Sequence, residues 1–312
     1  MKRSIRLGLM MAFIYLQSCG GHMIKNDAPD ADSVASTAAA AQQSIPAQKI
    51  TGNLVIKDTK DLIGFWVGQF KPDTAIEPMQ IGDRQGWDYS NKINISIDEI
   101  KGDTVNGHSV VAGNNRPFTG TITKDGSTFR FAVNEPGDDK YDGKFKFSIS
   151  QDDPILTGTW SANNKIRIPA RKYTLTKTLF RYNPGWQLKT GQYVDWSKKK
   201  AIPKTEFGYD ATYFTTSGDV DKYNASTDTL TTEEVANMKK ADLFVLRNAI
   251  YARHGYSFKN QQLRAYFDQQ PWYIPISTDI KSELTPIEKQ NIALLMRYEN
   301  NAKEYYDAFG RG

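Results

Sequence analysis

The 312-residue chain carries 40 lysines and arginines against 35 aspartates and glutamates, a net charge of +5. Lys2, Arg3 and Arg6 supply three of those positives, and the one basic run beyond them, Lys198-Lys199-Lys200, is too short for the concentrated basic surface that nucleic acid requires. With Cys19 as the single cysteine no internal disulfide can form, and His22, His108 and His254 have no metal-ligand spacing, so neither metal nor cofactor is expected.

Residues 1–18 read as a signal peptide: a basic start, no acid, and an apolar run from Leu7 to Leu16. That run is half of the roughly twenty residues a spanning helix needs, so it targets rather than anchors. Leu16-Gln17-Ser18-Cys19-Gly20 resembles the lipobox of bacterial lipoproteins. The resemblance implies that the Cys19 thiol carries lipid such as palmitate, and each buried methylene adds about 0.8 kcal/mol of membrane affinity. Gly20 in place of an acid implies, by resemblance to enterobacterial sorting, the outer membrane. The chain is therefore expected in the cell envelope, extracytoplasmic, held to the membrane through an N-terminal lipid. Residues 19–60, with Ala35 to Gln43 rich in Ala, Ser, Thr and Gln, offer nothing to bury and read as a flexible tether.

From 61 to 180 the pattern has period two. Ile93, Ile95 and Ile97 alternate with polar residues, as do Phe129, Phe131 and Val133, and Phe145, Phe147 and Ile149, which predicts half-buried strands. Turn-forming clusters separate them, including Lys124-Asp-Gly-Ser127, Glu135-Pro-Gly-Asp-Asp139 and Asp152-Asp-Pro154. Eight strands are predicted, starting near Leu62, Ile93, Thr104, Pro117, Thr128, Lys144, Ile155 and Lys172. An apolar-x-Gly-x-apolar pattern recurs around Gly64, Gly120, Gly143 and Gly158. A glycine between two bulky residues on one strand face lets the strand coil tightly, as a small barrel requires. Gly64-Phe65-Trp66 resembles the first-strand motif of lipocalins, and Leu156-Thr-Gly-Thr-Trp160 resembles an avidin strand. Both imply a lipocalin-like meander that binds a small apolar ligand, with a β-sandwich as the alternative.

Residues 181–229 form an aromatic-rich connecting segment in which Trp186, Tyr193, Trp196 and Tyr213, on the reading of a structural or interaction module, pack the two domains together. From 230 to 312 the period becomes helical. Leu243, Leu246, Arg247, Ile250, Tyr251 and His254 make one stripe on a helix closed by Gly255, and Thr285-Pro286-Ile287-Glu288 is a capping box with proline at the first helical position. Arg247-Asn248 and Tyr251-Ala-Arg253-His254-Gly255, followed by Pro271-Trp272-Tyr273 and Leu284-Thr-Pro-Ile-Glu288, resemble the YARHG domain. Ala249 departs from the acid usual after Arg-Asn. The resemblance implies an extracytoplasmic module of envelope proteins with no assigned reaction. The fold class expected is thus multidomain α+β, an antiparallel barrel-like domain followed by a small all-α domain.

No catalytic set emerges. Asp219-Val-Asp221 fails as a calcium loop, because Asn224 and Leu230 stand where glycine and glutamate are needed. Adjacent acids such as Asp138-Asp139 and Glu233-Glu234 read as solvated. His254, in a last helical turn, reads as a group favouring the helix dipole, with no orienting carboxylate at local spacing. Three readings stay open: non-enzymatic binding of an envelope lipid, glycan, protein or cell-wall ligand; an envelope enzyme with a site between the domains using His254, Tyr251 and Arg253; and a structural or interaction module.

Overall fold

The computed structural model describes residues 54–81, 84–188, 191–201 and 211–302. Cys19, the signal segment and most of the tether lie outside the described residues.

Period-two alternation produces a closed eight-stranded barrel. Its strands are β1 (Gly64–Pro72), β4 (Asn91–Lys101), β5 (Thr104–Val111), β6 (Asn114–Asp125), β7 (Thr128–Asn134), β8 (Gly143–Ser150), β9 (Ile155–Ala162) and β10 (Ala170–Thr178). Each pairs antiparallel with its neighbour, and β1 closes the ring by pairing with both β4 and β10. A short ribbon, β2 (Gln80–Ile81) with β3 (Arg84–Gln85), interrupts the passage from β1 to β4. Closure leaves no edge strand, which separates this barrel from a sandwich.

Inward positions are apolar and buried, among them Ile93, Ile95, Ile97, Phe131, Phe147, Ile149 and Leu156. On β7, β8 and β9 the outward positions Arg130, Lys144, Lys146, Thr157 and Thr159 are exposed. This is the reverse of the apolar exterior a membrane-spanning barrel needs. Among the described residues no helix is long and apolar enough to cross a membrane.

Two of the four recurring glycines behave as the recurrence predicts. Gly120 and Gly158 face inward mid-strand, where a Cβ would strike the neighbouring backbone, 2.6 Å from Val133 Cα in the first case, and 2.6 Å from Phe147 Cβ in the second. Gly64 and Gly143 instead open their strands, Gly64 at φ +123°.

One barrel end is plugged. The 3-10 turn Thr59–Leu62 sets Leu62 beneath fully buried Trp66, whose indole N–H donates to the Leu62 carbonyl at 2.9 Å. Inward-facing Lys177, paired with Trp66, donates to the Asp61 carbonyl.

The helical domain comprises α1 (Thr232–Ala236), α2 (Lys240–Arg253), α3 (Gln261–Phe267) and α4 (Pro286–Asn301), with the hairpin β11 (Val194–Ala201) and β12 (Ala211–Thr215) beside them. Helix α2 buries far more than the expected stripe. Besides Leu243, Leu246 and Ile250 it buries Ala241, Asp242, Val245, Asn248, Ala249 and Arg253, while Arg247 and Tyr251 stay half-buried. The reason is position: α2 is packed by α4, α3 and the 3-10 turn Gly218–Asp221 on different sides. The connecting segment does not simply bridge domains. Trp186 and Tyr193 lie in the helical core, Trp186 stacked on Trp272 at 5.4 Å, whereas Trp196 stacks on Trp87, from the chain just before β4, at 6.4 Å.

Barrel and helices belong to one compact unit and meet along the outside of β4 and the β5–β6 turn. Lys92 donates from its backbone N–H to Asp268 Oδ2 at 2.7 Å and from Nζ to the carbonyls of Gln270 and Tyr273 at 2.9 and 3.0 Å. In the turn, Ala112 and Gly113 both have positive φ, and the Gly113 N–H donates to Ser257 Oγ at 2.9 Å. Outward-facing Val67, Asn94 and Val110 are buried, so this barrel side is covered rather than solvated. Neither amide atom of Asn94 finds a hydrogen-bond partner among the described residues.

Candidate functional site

The unplugged barrel end is a mouth whose lining follows from strand parity. Because Trp66, Phe118, Val133, Trp160 and Tyr173 point inward, so do Phe70, Arg116, Glu135 and Arg171 in the same phase. Phe70, Phe145 and Trp160 form an aromatic floor, with Phe70 edge-on to Trp160 at 5.8 Å and 6.4 Å from Phe145. Above it lies a cavity of about 340 Å³, rimmed by Val111, Ala112, Ile166 and Arg167 of the barrel and by Gln261 and Arg264 of α3. Both domains therefore build this site. Its volume is at the lower end for small-molecule pockets. A wider trough of about 730 Å³ outside the barrel, between Trp87, Trp196 and Tyr266, is more polar and less enclosed by apolar surface.

The charges in the mouth are unevenly matched. Glu135 accepts from Ser109 Oγ at 3.0 Å, the Gly143 N–H at 2.7 Å and the Trp160 indole at 3.3 Å. Burial raises its pKa against the pull of those bonds. Arg116 is neutralised by Asp142 and Asp139, each at 2.9 Å. Three further arginines hydrogen-bond only to neutral groups, although the charge of Asp268 acts on Arg264 and that of Asp88 on Arg171. Arg171 Nη1 donates to the carbonyls of Phe70 and Tyr89 at 2.9 and 3.0 Å, its guanidinium 5.0 Å above the Phe70 ring. Arg167 donates to the Tyr89 hydroxyl at 2.7 Å and stacks over that ring at 4.4 Å. Arg264 donates from Nε to Asn91 Oδ1 at 2.9 Å and from Nη1 to the Lys259 carbonyl at 2.5 Å. Among the described residues no carboxylate lies within 4.0 Å of these three. Burial, and then the charge of Arg264, bring Arg171 down to about 10, with Asp88 opposing.

The motif residues lie elsewhere, in the helical core. Arg253 is 1% exposed, donates to the Trp186 carbonyl at 2.8 Å and to Ser226 Oγ at 3.3 Å, and is lowered by burial to about 10. His254 caps α2 at its C-terminus, stacks on Tyr182 at 4.1 Å and places Nε2 2.8 Å from Glu288 Oε2. The carboxylate that local spacing fails to supply thus arrives from α4. Gly255 has φ +75°, and a Cβ there would meet Ile276 Cγ1 at 2.5 Å. Arg247 forks onto Glu299 at 2.8 and 3.1 Å, Asn248 donates to the Phe244 carbonyl at 2.8 Å, and half-buried Tyr251 lies 6.1 Å from Tyr256. Trp272 donates to the Gln187 carbonyl at 2.9 Å and the Tyr273 hydroxyl to the Tyr256 carbonyl at 2.8 Å. Among the described residues no three His, Cys, Asp or Glu side chains gather as a metal site.

Residues 219–300 match the YARHG domain. The match takes in α2, α3, α4 and every motif residue above, together with Arg264, and leaves the barrel outside it. Neither a curated protein nor a solved structure matches the chain. The matched span starts within the 3-10 turn at Gly218–Asp221.

Periodicity alone does not single out the mouth residues. Arg116, Glu135 and Arg171 were legible by counting back or forward two residues from Phe118, Val133 and Tyr173. Arg264 had no such signal, because it reaches the mouth from a helix of the YARHG domain.

Proposed function

We propose that this chain is a lipid-anchored cell-envelope protein whose barrel mouth binds a small ligand without chemical change, a lipid, glycan or cell-wall component. The single observation carrying this reading is the half-open mouth cavity, with an aromatic floor, a rim of positioned polar groups and a plugged opposite end. Glu135 has both oxygens committed to Ser109, Gly143 and Trp160, an arrangement that orders the wall rather than moves protons. His254 does not line the cavity, and with 5% exposure it suits a packing role, as do the other motif residues. Lipidation of Cys19, which the lipobox resemblance supports, would hold the mouth near an envelope membrane.

The test is a titration of the full-length protein with N-phenyl-1-naphthylamine, a neutral aromatic probe whose emission rises on leaving water. Saturable one-site binding is expected, and Ile166→Trp, which fills the rim, should abolish it. Equal binding by wild type and Ile166→Trp would move the ligand site away from the mouth.

A further inference from the structure

The arginines at the mouth pose a specific problem. Burying a cation is costly unless a counter-charge or several acceptors compensate. Arg116 has two aspartates in direct contact, whereas Arg171 and Arg264 have only neutral acceptors in direct contact, two carbonyls for Arg171 and Asn91 with the Phe258 and Lys259 carbonyls for Arg264. Arg171 and Arg264 line the same cavity from different domains, joined through the Tyr89 to Asn91 segment: Arg171 binds the Tyr89 carbonyl and Arg264 binds the Asn91 side chain. Each keeps guanidinium capacity beyond its neutral partners, since the fork offers five N–H groups. Arg167 adds a third charge at the rim. Beneath them the wall carries Phe70, Phe145 and Trp160 together with the Glu135 carboxylate, which Ser109, Gly143 and Trp160 already hold. A ligand matching this surface carries negative charge at one end and an apolar body at the other.

We infer that the mouth takes an organic anion, its carboxylate, phosphate or sulfonate head held between Arg171 of the barrel and Arg264 of the YARHG domain, its apolar body on Phe70, Phe145 and Trp160. This deepens, and rests on, the reading of the mouth as a ligand site. It also gives the YARHG domain a task in this chain, because α3 supplies half of the anion clamp. Bidentate guanidinium recognition favours such planar or tetrahedral oxyanions.

A matched pair of probes separates the two layers of the argument. 8-Anilino-1-naphthalenesulfonate has the ring system of N-phenyl-1-naphthylamine plus a sulfonate. The sulfonate is expected to bind roughly tenfold or more tighter, the worth of one charge-assisted hydrogen bond. Arg171→Gln and Arg264→Gln should each collapse the ratio of sulfonate to neutral-probe affinity towards one, whatever either substitution does to the neutral probe alone. Arg171→Lys and Arg264→Lys, which keep the charge, should retain part of the sulfonate's advantage. If a glutamine variant fails to fold, salt titration of wild type carries the test: added salt should weaken the sulfonate and spare the neutral probe. Equal affinity for both probes, insensitive to salt and to either arginine, overturns the anion inference and leaves the mouth as a neutral-ligand site. Absence of saturable binding by either probe overturns both. Competition by dodecanoate, dodecyl phosphate and dodecanol then identifies the head. Displacement by one or both anions ahead of the alcohol supports the clamp, and equal displacement by the alcohol contradicts it.

Discussion

Glu288 Oε2 lies 2.8 Å from His254 Nε2 and at the same time accepts from the Thr285 backbone N–H at 3.0 Å, so one carboxylate joins the end of α2 to the start of α4. Its other oxygen accepts from the Tyr182 hydroxyl at 3.0 Å, and Tyr182 stacks on His254. The capping box and the histidine of the motif are therefore one device. It locks two helices that are distant in sequence, and it brings Tyr182, from the chain just after the barrel, into the same lock.

That lock predicts stability effects with a defined pH sign. Burial alone would raise the Glu288 carboxyl, but hydrogen bonds from His254 and Thr285 bring it down to about 2. Its stabilisation is then present above the ordinary carboxylate pKa near 4.5 and is lost as pH falls through 2. Glu288→Ala should cost about 1–3 kcal/mol or more at neutral pH, since it leaves His254, Tyr182 and the Thr285 N–H without their acceptor. His254→Ala should also lower the thermal midpoint, and Gly255→Val should lower it further because a β-branched residue is strained at positive φ. Thermal melts from pH 2 to 7 check this. A His254→Ala variant that melts like wild type yet loses ligand binding would return His254 to the functional site.

The inward glycines test the barrel. Gly120→Val and Gly158→Val should each destabilise by about 1–3 kcal/mol or more, because the added side chain meets neighbouring backbone or Cβ and not the free end of a flexible chain. Denaturant midpoints no different from that of a substitution at exposed Gly218, which has open space around it and no positive φ, would contradict tight coiling at these strands.

The domain interface carries its own pH dependence. Burial pushes Asp268 up to about 7, opposed by the Lys92 N–H and by the Lys92 and Arg264 charges. A raised carboxyl favours the folded state below its unfolded pKa and loses that advantage as pH rises. The thermal midpoint should accordingly fall between about pH 4 and pH 7, and Asp268→Asn should flatten that window. Lys92, lowered to about 8 by burial, acts on a separate window above it. A pH profile unchanged by Asp268→Asn would refute the assignment.

The anchor is tested at Cys19. Cys19→Ser should incorporate no labelled palmitate and remain unprocessed by the lipoprotein peptidase. Labelling equal to wild type would remove the lipid anchor from the account.

How far the sequence could be read depended on whether a signal was local. Alternation in segments such as Phe145 to Ile149 located all eight barrel strands, because each strand has one wet and one dry face over most of the sheet. The same rule hid the interface: Asn94 and Val110 are outward yet buried, and only the covering domain explains it. The capping box at Thr285 was legible because its partners lie three residues apart, whereas the Glu288 to His254 contact spans two helices. For α2 the expected single stripe failed since a helix packed on several sides has little polar face left to define one. Arg264 shows the limit most clearly, for a mouth shared by two domains leaves no period in either.

The central claim is that the mouth holds a small ligand, and native mass spectrometry of the full-length protein isolated from cells tests it most directly. One small-molecule mass per wild-type chain, lost in Ile166→Trp of unchanged thermal midpoint, is the predicted result. A bare chain in both proteins, or the same added mass on both, would contradict it.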